Sequence, residues 1–363
     1  MKMLSKLRID GFRGIRDLEI DRLSQVNLIV GDNNCGKTSM LEAIQLLRSG
    51  SAANIYRVAR LRGNMYIPSA NSLFDSFICM FPKDISELKI QLSGEYSGDS
   101  VSYVLAGTES RELLDLNELD RFTRKEYEDT DGETETDVFD GCSVYSVNGQ
   151  SSVERIHLNR FSRITGTSLD IKSQIGISYV APFEHLKGYN INRIVRSDSY
   201  KEICLRALQL FDPDIEDMMV FKSDVGNRPV EYLRHKRLGD MPLSTYGDGI
   251  KKVLVLSNAI AAATNGILLI DEIETAIHKR YYDDIFRFIV KACDAFHVQV
   301  FITTHSIEAI DGLLGTQDYT KQNDSDAITV VTLKHERDKT YSRVLSGREV
   351  FEDREAFGFE VRL

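Results

Sequence analysis

No stretch of the 363-residue chain carries the roughly 18 consecutive apolar residues that a membrane-spanning helix requires. The opening "MKMLSKLRIDGFRG" alternates and soon turns charged, so the apolar centre of a secretory signal is missing too. Cys35, Cys79, Cys142, Cys204 and Cys293 stand singly, without CxxC spacing or a histidine at zinc-site distance, which argues against a disulfide framework and a metal site of that kind. Positive charge is in deficit. With 45 Lys and Arg against 55 Asp and Glu the formal net charge is −10, which speaks against a broadly basic nucleic-acid surface while leaving room for a local one. What remains is an ordinary globular composition, 42% hydrophobic and 28% charged, long enough for two or three average domains or one large nucleotide-binding domain with an insertion. The expected setting is cytoplasmic, with no membrane partner, and function must lie in local sites.

The clearest of these is "GDNNCGKTSM", residues 31 to 40. Gly31 and the run Gly36, Lys37, Thr38 satisfy G-x-x-x-x-G-K-[ST], preceded by the apolar strand "VNLIV" and followed by the amphipathic "SMLEAIQLLRSG". Strand, glycine turn and helix together form a phosphate cradle, because backbone N–H groups converge on one point and the helix dipole adds positive potential there. Gly31, Asn33, Asn34, Cys35, Gly36, Lys37, Thr38 and Ser39 are therefore expected to bind ATP. Lys37 would pair with the β and γ oxygens, and Thr38 would offer Mg²⁺ a hard oxygen ligand. A thiol at Cys35, among amide donors beside a helix N-terminus, is expected to ionise more readily than a free one and to be covered when phosphate binds.

Organisation follows from periodicity. "LSKLRIDGFRGIRDLEIDRLSQVNLIVG" reads as short strands turning at Gly11 to Gly14, within an N-terminal lobe over residues 1–50. Between 86 and 160, "ELKIQL", "VSYVL", "CSVYSV" and "VERIHL" predict an antiparallel insertion. It holds the acidic run "RKEYEDTDGETETDVFDG", residues 124–141, expected as a mobile surface loop or a partner-docking segment. Residues 175–363 bring "IGISYVAP" as a buried strand, "YKEICLRALQLF" as a helix, "MMVFKSDVGNRPVEYLRHKR" as a hairpin, and then parallel-sheet signals. "GILLIDE" and "VQVFITTH" are apolar runs flanking a segment with helical spacing, a strand–helix–strand unit of a doubly wound α/β core whose strand ends should meet the phosphate turn.

Those ends carry chemistry. Asp271 can hold the shell of a Mg²⁺ ion, while Glu272 can orient and polarise the water that attacks the γ-phosphate. His305 leaves the sheet edge where an imidazole could touch that phosphate or water. Lys37, Glu272 and His305 are thus the expected catalytic set, and Thr38 and Asp271 the metal set. Arg57, Arg60 and Arg62, and again Arg234, Lys236 and Arg237, are the basic clusters that could track a phosphate backbone.

In this order the motifs resemble those of ABC-type ATPase heads, specifically the RecF-like and OLD-like (overcoming-lysogenization-defect) branch related to SMC heads. "KLRIDGFRGIRDLEID" looks like its opening hairpin, "VNLIVGDNNCGKTSMLEAI" its Walker A, and "PLSTYGDGIKKVLVLSNAI" its divergent signature. "GILLIDEIETAIHKR" resembles its Walker B with D-loop, "FITTHSIEAI" its His switch, and "AITVVTLKHERDKTYSRVLS" its terminal strand pair. The resemblance implies a P-loop NTPase of ABC/SMC-head type, with a mixed sheet core, an antiparallel β lobe and a helical signature lobe. It also implies an ATPase using ATP and Mg²⁺ in a head-to-tail homodimer.

Ser244, Gly247 and Gly249 would then meet the γ-phosphate held by the other subunit, with either Ser244 or Thr245 supplying the hydroxyl. Arg13 would approach the nucleotide, Glu274 and His278 would support the D-loop, and Gln174 is a candidate Q-loop residue. No sustained heptad run separates Gly31 from Ser244, so no coiled-coil arm is expected, and the 58 residues after His305 are too few for a nuclease domain. The isolated head would act as an ATP-driven switch on a separate effector, in bacterial defence against phage, or alternatively as a RecF-like DNA clamp. A GTPase or small-molecule kinase is disfavoured because no N-K-x-D motif is present.

Overall fold

The structure, a computed structural model, describes residues 2–62, 72–83, 87–115, 133–162, 175–187, 191–222, 229–319, 327–358 and 360–361. The strands before the phosphate turn are β1 (Leu4–Asp10), β2 (Leu18–Ile20) and β3 (Val26–Gly31). Four long strands follow, β4 (Leu88–Tyr96), β5 (Asp99–Asp115), β6 (Glu133–Val147) and β7 (Gln150–Asn159). Beyond them come β8 (Ile177–Val180), β9 (Ile215–Lys222), β10 (Pro229–His235) and β11 (Gly239–Pro242). The chain closes with β12 (Ile267–Ile270), β13 (Gln299–Thr303), β14 (Ile328–Glu336) and β15 (Lys339–Ser346).

The uninterrupted apolar runs of β3, β12 and β13 are buried at every position, as strands covered on both faces must be. They occupy the middle of a six-stranded sheet ordered β15-β14-β3-β13-β12-β8. All its pairings are parallel except β14 with β15, the terminal pair expected from the sequence. One apolar core fills the space between this sheet, the helix Lys37–Ile44 and the antiparallel lobe. A second covers the opposite face with the helices Asp198–Gln209, Asp248–Ala262, Tyr282–Ala295 and Ile307–Leu314. Each fully buried Leu, Ile or Phe there contributes roughly 1.5–3 kcal/mol. The architecture is the expected mixed α/β one, with a second sheet and a three-stranded β11-β10-β9 sheet beside the helical side.

The second six-stranded sheet is ordered β2-β1-β4-β5-β6-β7, so the opening hairpin is continuous with the strands read as an insertion. Two contacts brace it against the exit of the Lys37–Ile44 helix: Tyr145 donates to the Leu47 carbonyl at 3.0 Å, and Ser143 to that of Gly50. The acidic run needs correction. Residues 133–141 are strand, paired with β5 and β7, and only 124–132 lie outside the described residues. Charge did not prevent pairing because the acids face arginines across the ribbon: Asp140 meets Arg155, and Asp137 meets Arg160, while Val138 and Phe139 are buried.

The segment after Gly50, without clear periodicity, contains the helices Ala52–Ala59 and Leu73–Ile78, the second opened by a reciprocal Ser72–Asp75 capping box. Gln174 lies outside the described residues. No helix among the described residues is long and apolar enough to cross a membrane.

Candidate nucleotide site

The turn after β3 requires its glycines. Gly31 has φ 134°, and a Cβ there would come within 2.2 Å of the Leu333 carbonyl on the adjacent β14. Gly36, at φ 104°, is the N-cap of the helix Lys37–Ile44, and Asn34, at φ 62°, is of the type that tolerates this region. The result is a loop folded tightly around one ammonium. Lys37 is buried, and Nζ donates to the carbonyls of Gly31 and Asp32, both at 2.7 Å.

Across the loop stands the end of β12. Thr38 Oγ1 donates to Asp271 Oδ1 at 3.1 Å, although the two are 233 residues apart. Asp271 is almost wholly buried and doubly supported, by Thr303 Oγ1 on Oδ1 at 2.6 Å and by Tyr179 OH on Oδ2 at 3.3 Å. Burial, with Asp271 adding to it, raises the Tyr179 phenol well above its usual range, so it stays a donor. Glu272 follows in the left-handed region, φ 46°, a strained conformation for glutamate that its N–H bond to Thr303 Oγ1, 2.8 Å, helps to hold. Its carboxylate reaches the His305 imidazole, Oε1 to Nε2 at 3.8 Å. Glu274 Oε1 accepts the His305 N–H at 2.6 Å, fixing the chain where it leaves β13.

Asn33, Asn34, Gly36, Lys37, Thr38 and Ser39 line one wall of a cleft of about 520 Å³, and Asp271, Glu272 and His305 line another. Gly31 and Cys35 lie behind the loop rather than in the wall. Ser244, Gly247 and Gly249 are elsewhere: Ser244 and Gly247 are exposed, Gly247 caps the helix Asp248–Ala262, and Gly249 packs beside Phe211. His278 is exposed and caps a short turn, accepting the Arg280 N–H.

Arg13 does not reach this cleft. Its guanidinium, 12% exposed, pairs with Glu42 at 2.8 Å and borders a separate cavity. Glu42, 1% exposed, also takes Arg62, whose Nη2 donates to Ser39 at 2.9 Å. The first basic cluster is therefore split, with Arg57 half-buried and Arg60 and Arg62 exposed. Arg62 lines the nucleotide cleft, and burial lowers Arg57 to about 10 while its Nη2 donates to Gln45.

The second cluster is paired as well, Arg234 with Asp240 and Arg237 with Asp214. Beside it, Asp212, Asp214 and His235 gather metal-ligand types. His235 Nδ1 accepts the N–H groups of Arg237 and Leu238, both at 3.1 Å, so the ring proton sits on Nε2, directed at Asp212 3.3 Å away. With Nε2 protonated no imidazole lone pair is left for a cation, and the cluster reads as a hairpin brace.

The expectation for Cys35 is overturned. The thiol is 4% exposed, and burial raises its pKa, with Lys37 only partly offsetting the effect. Since the thiolate is the reacting species, iodoacetamide at neutral pH should label exposed Cys79 well before Cys35, with ATP slowing Cys35 further. Peptide mass spectrometry that finds Cys35 labelled first would contradict this geometry.

A profile of the family described as "AAA domain, putative AbiEii toxin, Type IV TA system" matches residues 26–311. The chain belongs to this AAA-domain family. A Helicobacter pylori protein named ATP/GTP phosphatase is 23% identical over 340 residues, 88% of this chain and 90% of its own. The DNA replication and repair protein RecF of Thioalkalivibrio sulfidiphilus is 46% identical over 48 residues, 13% of each chain. Among solved structures, the Smc head domain with an extended coiled coil from Pyrococcus furiosus superposes with a TM-score of 0.53 at 13% identity, over 99% of this chain and 100% of that one. The AAA domain here has the fold of an ABC-type P-loop head, as in the Smc head, and is an ATPase of AAA type.

Sequence reasoning missed Thr303, Tyr179 and Glu42, and placed Arg62 in a basic cluster rather than at the cleft. The doubled threonine before His305 was a signal for Thr303; the others depend on contacts between distant segments.

Proposed function

We propose that this ATPase is a dimeric switch in which two heads meet head to tail, share their ATP molecules and, by closing, control a separate effector protein. The observation that carries the reading is a separation within one chain. The phosphate loop and the β12 acids line the cleft together, whereas the Ser244–Gly249 segment belongs to none of its walls and is largely exposed. That segment opens a 15-residue helix, whose N-terminal dipole suits a phosphate presented by another molecule. Thr245 Oγ1 donates to the Pro242 carbonyl at 2.7 Å, which favours exposed Ser244 as the hydroxyl that would meet it.

In this scheme Lys37 pairs with the β and γ oxygens, Glu272 orients the attacking water, and His305 contacts the γ-phosphate or that water. The Thr38–Asp271 pair, two oxygens 3.1 Å apart at the cleft edge, fits Mg²⁺, a hard cation that would neutralise phosphate charge when bound. The effector role in anti-phage defence rests on family resemblance alone.

Light scattering tests the shared nucleotide. With a non-hydrolysable ATP analogue and Mg²⁺, wild type should double in mass. Ser244→Arg, which puts a bulky cation in the shared interface, should bind the analogue and stay monomeric. Equal masses for both proteins with and without analogue would show that the nucleotide is not shared.

A second reading, a RecF-like DNA clamp, is favoured by the separate cavity of about 350 Å³ that Arg13, Arg16, Lys83, His335 and Arg337 line, among the described residues with a single acid, Asp338. Phosphate backbones bind such surfaces in a salt-dependent way. Wild type with the ATP analogue should then retain duplex DNA in a low-salt gel, and Arg16→Glu with Arg337→Glu should release it. Absence of retention by wild type sinks this reading.

A further inference from the structure

The helix Asp248–Ala262, which follows the Ser244–Gly247 turn, carries a charged group buried in the protein. Lys252, one turn in, has no exposed surface. Its ammonium donates to the Pro182 carbonyl at 3.1 Å, and Ala181, Pro182 and Phe183 form a wall of the nucleotide cleft. Asp271, Glu272 and Glu274 face it from the end of β12, and Glu184 and His185 from the turn beyond Pro182. Among the described residues none of these carboxylates closes an ion pair with it. A fully buried ammonium with one backbone acceptor is costly to fold around. A methionine of similar length would fill the space without that cost.

We propose that Lys252 is a positioning residue for ATP hydrolysis, a buried cation that holds the Pro182 wall of the nucleotide cleft, and so makes turnover depend on the seating of the helix Asp248–Ala262. The positioning role stands on the burial of Lys252 and its bond to the Pro182 carbonyl in the cleft wall. The dependence on helix seating rests on the shared-ATP reading, because a partner's phosphate at Ser244–Gly249 would press on the same helix.

Burial lowers the Lys252 pKa from 10.5 to about 8, against the pull of the surrounding carboxylates. Between these values the unfolded chain binds more protons than the folded one, so this group's contribution to stability rises with pH. Hydrolysis should move the opposite way, falling above about pH 8 as the ammonium is lost. A merely structural lysine would not give those opposed slopes.

The test compares Lys252→Met and Lys252→Arg with wild type in phosphate release across pH 6.5 to 10, with fluorescent-nucleotide binding alongside. Lys252→Met should keep KM within about threefold and lose about tenfold or more in kcat, the scale of one misplaced catalytic group. Lys252→Arg should recover most of the rate and shift the alkaline fall upward, since a guanidinium stays charged. Lys252→Met turning over at the wild-type rate overturns the proposal, as does an alkaline limb unmoved in Lys252→Arg; the latter decides the matter even if the methionine variant does not fold.

For the coupling, activity per subunit should rise with protein concentration in wild type and stay flat in Lys252→Met while light scattering still shows association. A wild type that never associates defeats the shared-ATP reading and its coupling, leaving the hold on the Pro182 wall to the pH profile.

Discussion

Glu272→Gln should lower ATP turnover by about 10²-fold or more while leaving nucleotide affinity close to wild type, the range for loss of a positioned general base. The glutamine keeps the size and shape of the side chain, so the φ 46° backbone and its bond to Thr303 have no reason to change. The Asp271 site, held by Thr38, Thr303 and Tyr179, is likewise untouched. Only the ability to accept a proton from water is lost. Phosphate release at saturating ATP gives the rate, and a fluorescent-nucleotide titration gives the affinity. A variant that keeps half the wild-type rate would assign water activation to another group, with His305, 3.8 Å away, the first to examine.

The second large effect concerns stability. Glu42→Leu should destabilise the fold by about 3 kcal/mol or more, as breaking a buried pair typically does. The reason is Arg13, whose side chain is 12% exposed and loses its only ion-pair partner among the described residues. Burial already pulls the Arg13 pKa below its ordinary value, and Glu42 is the largest influence opposing that. Arg62, 47% exposed, can turn to water and adds little. Chemical unfolding at neutral pH measures the loss. The double variant Glu42→Leu with Arg13→Met should recover much of it, because replacing both members of a buried pair is often nearly neutral. A single variant within about 1 kcal/mol of wild type would show that Arg13 finds water there, against the ordinary cost of an unpaired buried charge.

The parts legible in sequence are those whose chemistry is written in local spacing. The phosphate loop, the Asp271–Glu272 strand end and His305 each need only a strand followed by the right residue, and the sheet order brings them to one cleft. The terminal strand pair and the hairpin of β9 and β10 were readable for the same reason. Glu42 was not, because a glutamate on a helix face reads as solvated until Arg13 and Arg62 arrive from either side of it in the chain. Arg57, half-buried against Gln45, was misjudged as surface charge for the complementary reason. The acidic run failed because a strand whose acids pair with arginines of the next strand and its exit has no one-dimensional signature: the partners of Asp137 and Asp140 are 23 and 15 residues away. Cys35 shows the limit of motif reasoning, since the loop that supplies amide donors also shuts out the water that a thiolate needs.

The seat of Gly31 has a consequence for how the protein is made. β3 runs between β13 and β14, and the residue packed against Gly31 is Leu333, paired with it in register. The nucleotide loop is thus closed by chain synthesised some 300 residues later, a contact of the slow, non-local kind. During translation the loop exists as sequence long before it exists as a shape, so the nascent chain gains its grip on ATP only once Leu333 has left the ribosome.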